Sequence, residues 1–311
     1  MPKIAVLDDY DKTISRLPCW KTLPPDCTID FLPHPVGGRE VADYDVIVTV
    51  RERTRITREF LAHAKQLKHL ALTGRLSGQA DLAALQERHI SVSYTAGSGS
   101  SAAELTIALI LGITKGISER DHVVRSGGWH AGLATTLSGK TLGILGLGRI
   151  GTTVAQFGSL MGMRVISWGP TPDQGRAIQY GLTRLPIEQV LQTADVIAIC
   201  LRLSEKTRDL IGAKDLALMK EGASLVNTAR AEIVDKHALY AILREGRIRG
   251  AFDVFYEEPL PHDDLLRTLP NVLLSPHMGY VTHEVYQTFF SQVVHNILAW
   301  KDGRPFNDAL A

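Results

Sequence analysis

Arg230, Glu258 and His277 occur in that order in the last third of the chain, behind a glycine fingerprint at Gly146, Gly148 and Gly151. A guanidinium can grip a carboxylate with two parallel hydrogen bonds while another N–H polarises the adjacent carbonyl, a fork that lysine does not reproduce. A histidine titrates near neutrality and can therefore give or take a proton in a reaction. A carboxylate on its other ring nitrogen fixes the ring and favours the charged form. The glycines have the G-x-G-x-x-G spacing that cradles a dinucleotide pyrophosphate. In this order the four features predict a nicotinamide-dependent oxidoreductase.

The setting of each feature fits that chemistry. In TLGILGLGRIGTTVAQFG an apolar strand runs straight into the glycines and then into a helix. The first glycine permits the turn, the second lets the backbone approach the phosphates, and the third lets helix and strand pack closely. The next strand, RVISW, ends in Gly169, Pro170 and Thr171, where an NAD enzyme places an acid for the ribose diol. NADP is therefore permitted as well as NAD, and Arg176 and Arg202 are either solvated surface charges or groups that reach a 2′-phosphate. Arg230 follows SLVNTA, Glu258 lies in DVFYEEPLP and His277 in LLSPHMGYVT, each just past an apolar strand. That places all three at the carboxyl edge of a parallel sheet, where such folds bind ligands. Asp253, in AFDVF, either accepts a hydrogen bond from the nicotinamide amide or caps a loop.

The elements that must position these residues are legible as apolar runs. KIAVL, DVIVTV, HLALTG and ISVSYT form one series, and TLGILG, RVISW, DVIAICL, ASLVNTA, RGAFDVF and NVLLSP form a second. Their alternation with helix-length segments predicts an α/β fold of two doubly wound parallel-sheet domains. TAGSGSS, at 95–101, reads as a loop, followed by a long apolar helix over 102–116. A last helix, His283 to Lys301, comes after the second sheet is complete and is expected to cross back. The expected domains are 1–101 plus 281–311, which is discontinuous, and a dinucleotide-binding domain of 102–280.

Bulk properties narrow the function classes. A chain of 311 residues, 45% of them apolar, is expected to fill two cores. Its 34 basic and 33 acidic residues leave no footprint for nucleic acid or an anionic membrane. No apolar run approaches the roughly 20 residues that span a bilayer, and MPKIAVLDDYDK has acids where a signal peptide is apolar, so a cytoplasmic location is expected. Cys19, Cys27 and Cys200 have no disulfide or metal spacing and are expected to be small buried residues; no metal is expected.

Five phrases resemble the D-isomer-specific 2-hydroxyacid dehydrogenases: AELTIALIL, KTLGILGLGRIG, LVNTARAEIVD, GAFDVFYEEPLP and LSPHMGYVT. The resemblance implies a Rossmann cofactor domain inserted into a flavodoxin-like substrate domain, and a homodimer. It implies reversible conversion of a small 2-oxo acid to the D-2-hydroxy acid with NAD or NADP. Arg230 is implied to bind the carboxylate, His277 to be the acid/base, and Glu258, not Glu257, to pair with it. Cofactor contacts are implied at Gly146, Gly148, Arg149, Ile150 and Gly151, at Gly169, Leu201 and Arg202, and at Thr228, Ala229, Arg230, Asp253, His277 and Gly279. Substrate contacts are implied at Arg230, His277 and the loop Gly74-Arg75-Leu76-Ser77-Gly78, with Arg75, Leu76 and Ser77 as its contact residues. Leu76 stands where many members have a second glycine, and Cys200-Leu201-Arg202-Leu203 replaces the usual His-x-Pro-Leu. Glu258 in place of glutamine argues against the formate dehydrogenase branch. An alternative of another class is a regulatory protein that senses a dinucleotide and has lost catalysis. A methyltransferase would leave Arg230, Glu258 and His277 unexplained.

Overall fold

The computed structural model describes residues 2–75, 78–97, 99–130, 132–171 and 174–310. Two compact units divide the chain, 1–98 with 282–311, and 99–281, so the second interrupts the first in sequence.

The first unit contains β1 (Lys3–Val6), β2 (Thr28–Phe31), β3 (Val46–Thr49), α1 (Arg58–His63), β4 (His69–Leu72), α2 (Leu82–Glu87) and β5 (Ser91–Tyr94). All pairings are parallel, in the order β2-β1-β3-β4-β5, which is the flavodoxin-like doubly wound order. β3 and β4 are wholly buried, as VIVT and HLAL require, because a parallel sheet is covered on both faces. β2, TIDF, alternates apolar and polar residues on an edge and is half exposed, which is why it has no buried apolar run to announce it.

The second unit begins with α3 (Ser100–Lys115) and α4 (Ile117–Arg125), followed by β6 (Thr141–Leu145), α5 (Arg149–Leu160), β7 (Arg164–Trp168), α6 (Gln174–Gln179) and β8 (Thr183–Arg184). It continues with α7 (Ile187–Thr193), β9 (Val196–Ile199), α8 (Ala213–Leu218), β10 (Ser224–Asn227), α9 (Lys236–Arg244), β11 (Arg249–Phe252) and β12 (Val272–Leu274). Its seven parallel strands run β12-β11-β10-β9-β6-β7-β8. Neighbouring residues along each strand enter different cores. Leu145, Ile197, Ile199 and Leu225 join one cluster, and Ile144, Val196, Ala198 and Val226 join another. The order reverses between β6 and β9, the switch point at which doubly wound sheets bind ligands. The chain then returns to the first unit as α10 (His283–Lys301), whose N-cap Thr282 accepts from the Val285 N–H.

No single helix among the described residues is long and apolar enough to cross a membrane. The bent pair α3–α4 has the length and composition, but α3 packs on β10 and β11 and buries Leu109, Ile110 and Ile113. The three cysteines are half-buried rather than buried as expected, although Cys200 packs against the core of the second unit.

Candidate active site

The carboxyl ends of the second sheet stand in one row. Trp168 pairs with Leu145, Leu145 with Ile199, Ile199 with Asn227, Asn227 with Phe252, and Phe252 with Leu274. Gly169, Gly146, Cys200, Thr228, Asp253 and Ser275 are therefore the first residues past the strands along a single edge, and the candidate side chains come from the segments they open.

Gly146 has φ 101°, and an added Cβ would lie 2.8 Å from the Cys200 carbonyl oxygen, so only glycine fits the turn at the switch point. Gly148 caps α5, and nothing stands within 4 Å of where its Cβ would be, which leaves the helix's first turn open to a ligand. At Gly151 an added Cβ would run into the Gly146 carbonyl, so the helix packs against the turn only without a side chain. This cradle fits the pyrophosphate of a nicotinamide dinucleotide, which the free N–H groups and the positive end of α5 would face. Arg149 is exposed at the helix start and Ile150 is half-buried beside it. Leu201 is buried past β9, and Arg202 is exposed, its carbonyl accepting from the Thr207 hydroxyl at 2.8 Å.

Arg230 is half-buried on the turn after β10, where its Nη1 donates to the Ala229 carbonyl at 2.6 Å. The turn is braced by Asn227, a residue that sequence reasoning passed over. Its side-chain amide donates to the Arg230 carbonyl at 2.9 Å and its Oδ1 accepts from the Ala229 N–H at 3.0 Å. Asn227 is 2% exposed, so both bonds are shielded from water. The Thr228 hydroxyl bonds the Thr106 hydroxyl of α3 at 2.7 Å, tying the same turn to a core helix.

His277 and Glu258 meet. The imidazole Nδ1 lies 2.6 Å from Glu258 Oε2, while Oε1 accepts from the Phe255 N–H at 2.9 Å and orients the carboxylate. With Nδ1 occupied, Nε2 is the nitrogen left for proton transfer. His277 has φ 55°, a left-handed conformation that costs a non-glycine residue about 1–2 kcal/mol. Asp253 holds that geometry from below. It is 1% exposed, with Oδ1 accepting from the Ser275 hydroxyl at 2.6 Å and the Met278 N–H at 2.7 Å, and Oδ2 from the Gly279 N–H at 3.0 Å. Burial pushes the Asp253 carboxyl up, while these donors and the charge of His277 oppose the shift. The loop-capping role left open from sequence is thus present in the structure. Ser275 carried no signal on its own, because one serine before a proline is ordinary until a buried acid is found facing it.

At the adenosine end, Gly169 follows β7 and its carbonyl accepts from Arg184 Nη2 at 3.0 Å. Arg184 also went unnoticed in sequence, since it belongs to a two-residue edge strand with no periodicity to reveal it. Arg176, on α6, donates to the Leu147 carbonyl at 2.8 Å, within the glycine turn. Of the loop expected to touch substrate, Arg75 lies past β4 in the first unit, its guanidinium 5.8 Å from the Tyr94 ring centroid. Leu76 and Ser77 lie outside the described residues. Among the described residues no group of three or more His, Cys, Asp or Glu side chains could hold a metal ion.

Comparisons with known proteins agree with this architecture. Residues 107–279 match the family model described as D-isomer specific 2-hydroxyacid dehydrogenase, NAD binding domain. The chain is 36% identical over 282 residues to a glyoxylate reductase of Thermococcus litoralis, covering 87% of this chain and 85% of that protein. It is 37% identical over 263 residues to a D-3-phosphoglycerate dehydrogenase of Methanocaldococcus jannaschii, covering 83% of this chain and 50% of that protein. The crystal structure of a phosphoglycerate oxidoreductase from Vibrio cholerae superposes with a TM-score of 0.93 at 34% identity, over 97% of this chain and 100% of that one. The phosphate cradle, the edge-standing arginine, the glutamate–histidine pair and these likenesses agree: the chain belongs to the D-isomer specific 2-hydroxyacid dehydrogenase family.

Proposed function

We propose that the protein interconverts a small 2-oxo acid and its D-2-hydroxy acid with NAD or NADP, in the cytoplasm, and that Arg230, Glu258 and His277 are its catalytic residues. The observation that carries this is the 2.6 Å contact of His277 Nδ1 with Glu258 Oε2, at the edge that also bears Arg230. A bound reduced nicotinamide supplies the hydride that becomes the C2 hydrogen of the product. Gly146, Gly148 and Gly151, with the start of α5, hold the pyrophosphate. Arg230 grips the substrate carboxylate through its planar fork and stabilises negative charge on the neighbouring carbonyl oxygen. His277, oriented through Nδ1 by Glu258, gives its Nε2 proton to that oxygen, and takes it back in the oxidation. Asp253 caps the His277 loop through three of its acceptor positions, and in this reading the fourth accepts from the nicotinamide amide. A protein that only sensed a dinucleotide would have no use for the Glu258–His277 pair.

Glyoxylate is the first substrate to test, since relatives at 36% and 38% identity are named glyoxylate reductase. Loss of absorbance at the reduced-nicotinamide band is followed with glyoxylate, hydroxypyruvate and a series of larger 2-oxo acids. Consumption with the small acids supports the reading; no turnover with any of them, despite cofactor binding, removes it.

The active form is a homodimer in this reading. α4 buries none of its residues, and Ile117, Val124, Trp129 and Leu133 are exposed at 58%, 50%, 77% and 102% along it and the segment that follows. A second copy of the chain would cover this apolar face, and light scattering of the eluting protein measures whether it does.

A further inference from the structure

We propose that the cofactor is NADP, and that Arg184 selects it by binding the 2′-phosphate, with Arg176 as its second cation. The proposal rests on the dinucleotide reading given above and deepens it.

An NAD enzyme of this fold follows its second strand with a carboxylate, which bonds the ribose diol and repels a 2′-phosphate. Here that strand is β7, and Gly169 follows it. β8 runs alongside as the outermost strand and pairs Arg184 with Ser167. From there the guanidinium reaches over the strand end to the Gly169 carbonyl. A positive charge therefore occupies the neighbourhood in which NAD enzymes keep a negative one. The contact uses one N–H, and the other donors of the planar fork match a phosphate. Arg184 has no ion-pair partner among the described residues, so no carboxylate cancels its charge.

Arg176 comes from a different element to the same edge. Its Nη1 donates to the carbonyl of Leu147, between the first two glycines of the fingerprint, so a second guanidinium lies beside the phosphate cradle. Arg149 is exposed at the first residue of α5, where the helix dipole adds to its charge. A 2′-phosphate adds about two negative charges at neutral pH and is complementary to this edge; the neutral diol of NAD gains little from it.

The test titrates the purified full chain with NADPH and with NADH, following nicotinamide fluorescence. Adenosine 2′,5′-bisphosphate and 5′-AMP, which differ only in the 2′-phosphate, are compared by calorimetry. NADPH is expected to bind at least about tenfold tighter than NADH, and the bisphosphate tighter than AMP by a similar factor. Arg184→Ala should bring both ratios toward one, Arg184→Lys should keep part of them, and Arg176→Ala should lower them less. NADH binding as tightly as NADPH, or ratios that Arg184→Ala leaves in place, would overturn the proposal. Asp173, which lies outside the described residues, is the first acid after β7 in sequence. A preference for NADH that Asp173→Asn relieves would assign selection to that acid instead and also overturn the proposal. If NADH alone binds and supports turnover, the NADP assignment fails and the dehydrogenase reading stands; if neither dinucleotide binds, both fail.

Discussion

Glu258 Oε2 lies 2.6 Å from Nδ1 of His277, and the other oxygen of the same carboxylate is held by the Phe255 N–H. The glutamate is thus fixed at both oxygens, and the imidazole is fixed through it. Glu258→Gln keeps a hydrogen-bonding side chain of the same shape but removes the negative charge beside the ring. Reduction should slow by roughly 100-fold, with a smaller effect on cofactor binding. In the proposed mechanism, reduction uses the protonated His277 ring and oxidation the neutral one. Rising pH should therefore depress reduction and promote oxidation across the same range; initial rates in both directions that move together would remove His277 from the proton-transfer role.

Arg230→Lys tests the fork. The charge stays but the paired N–H donors are lost, so kcat/KM for the 2-oxo acid should fall by about 100-fold or more, roughly 2.7 kcal/mol or above. Cofactor affinity measured by fluorescence should stay within a few-fold. Normal turnover in this variant would move the carboxylate clamp to another arginine, with Arg75 the next to replace.

Asn227→Ala tests whether the buried amide positions Arg230. The change takes a hydrogen-bond partner from both the Arg230 carbonyl and the Ala229 N–H. A stability loss of about 1–3 kcal/mol in urea is expected, because buried polar groups lose their partners. A rise in KM for the 2-oxo acid, larger than the change in cofactor affinity, should accompany it. Loss of stability with kinetics unaltered would make Asn227 a fold residue only.

His69 gives the first unit a pH dependence. It is fully buried between the Ser91 and Ser93 hydroxyls, stacked on Trp300 with Phe306 at its edge, and burial pulls it down to about 3 from an ordinary 6.5. Between those values the unfolded chain binds a proton that the folded one refuses, so stability is full above about 6.5 and is lost as pH falls toward 3. The slope is about 1.4 kcal/mol per pH unit at most. Urea melts between pH 5 and 7 should show it, and His69→Gln should flatten it; equal slopes in the two proteins would mean that His69 is protonated in the fold.

Much of this architecture was already written in the chain. Strands covered on both faces are apolar along most of their length, so VIVT, TLGIL and VIAI announce themselves, and α10 spans the interval read for it. The fingerprint is local, because its glycines answer to one turn and one helix start; Gly146 and Gly151 touch each other within six residues of chain. The segments β2 and β8 were not legible, since an edge strand is short, half wet and stabilised by its neighbour rather than by its own pattern.

What the amino-acid order determined by itself was therefore most of the element types, the glycine turn and the candidate residues at the strand ends. Tertiary structure decided which groups meet. Glu258 and His277 are 19 residues apart, and Asp253 closes on Gly279 across 26; both contacts exist because β11 and β12 pair in register and end in one row. Arg184 came beside Gly169 by the same means, through the pairing of β7 with β8. Local propensity acts over a few residues and sets each strand and turn. The pairing of strands distant in sequence sets the distances between their side chains.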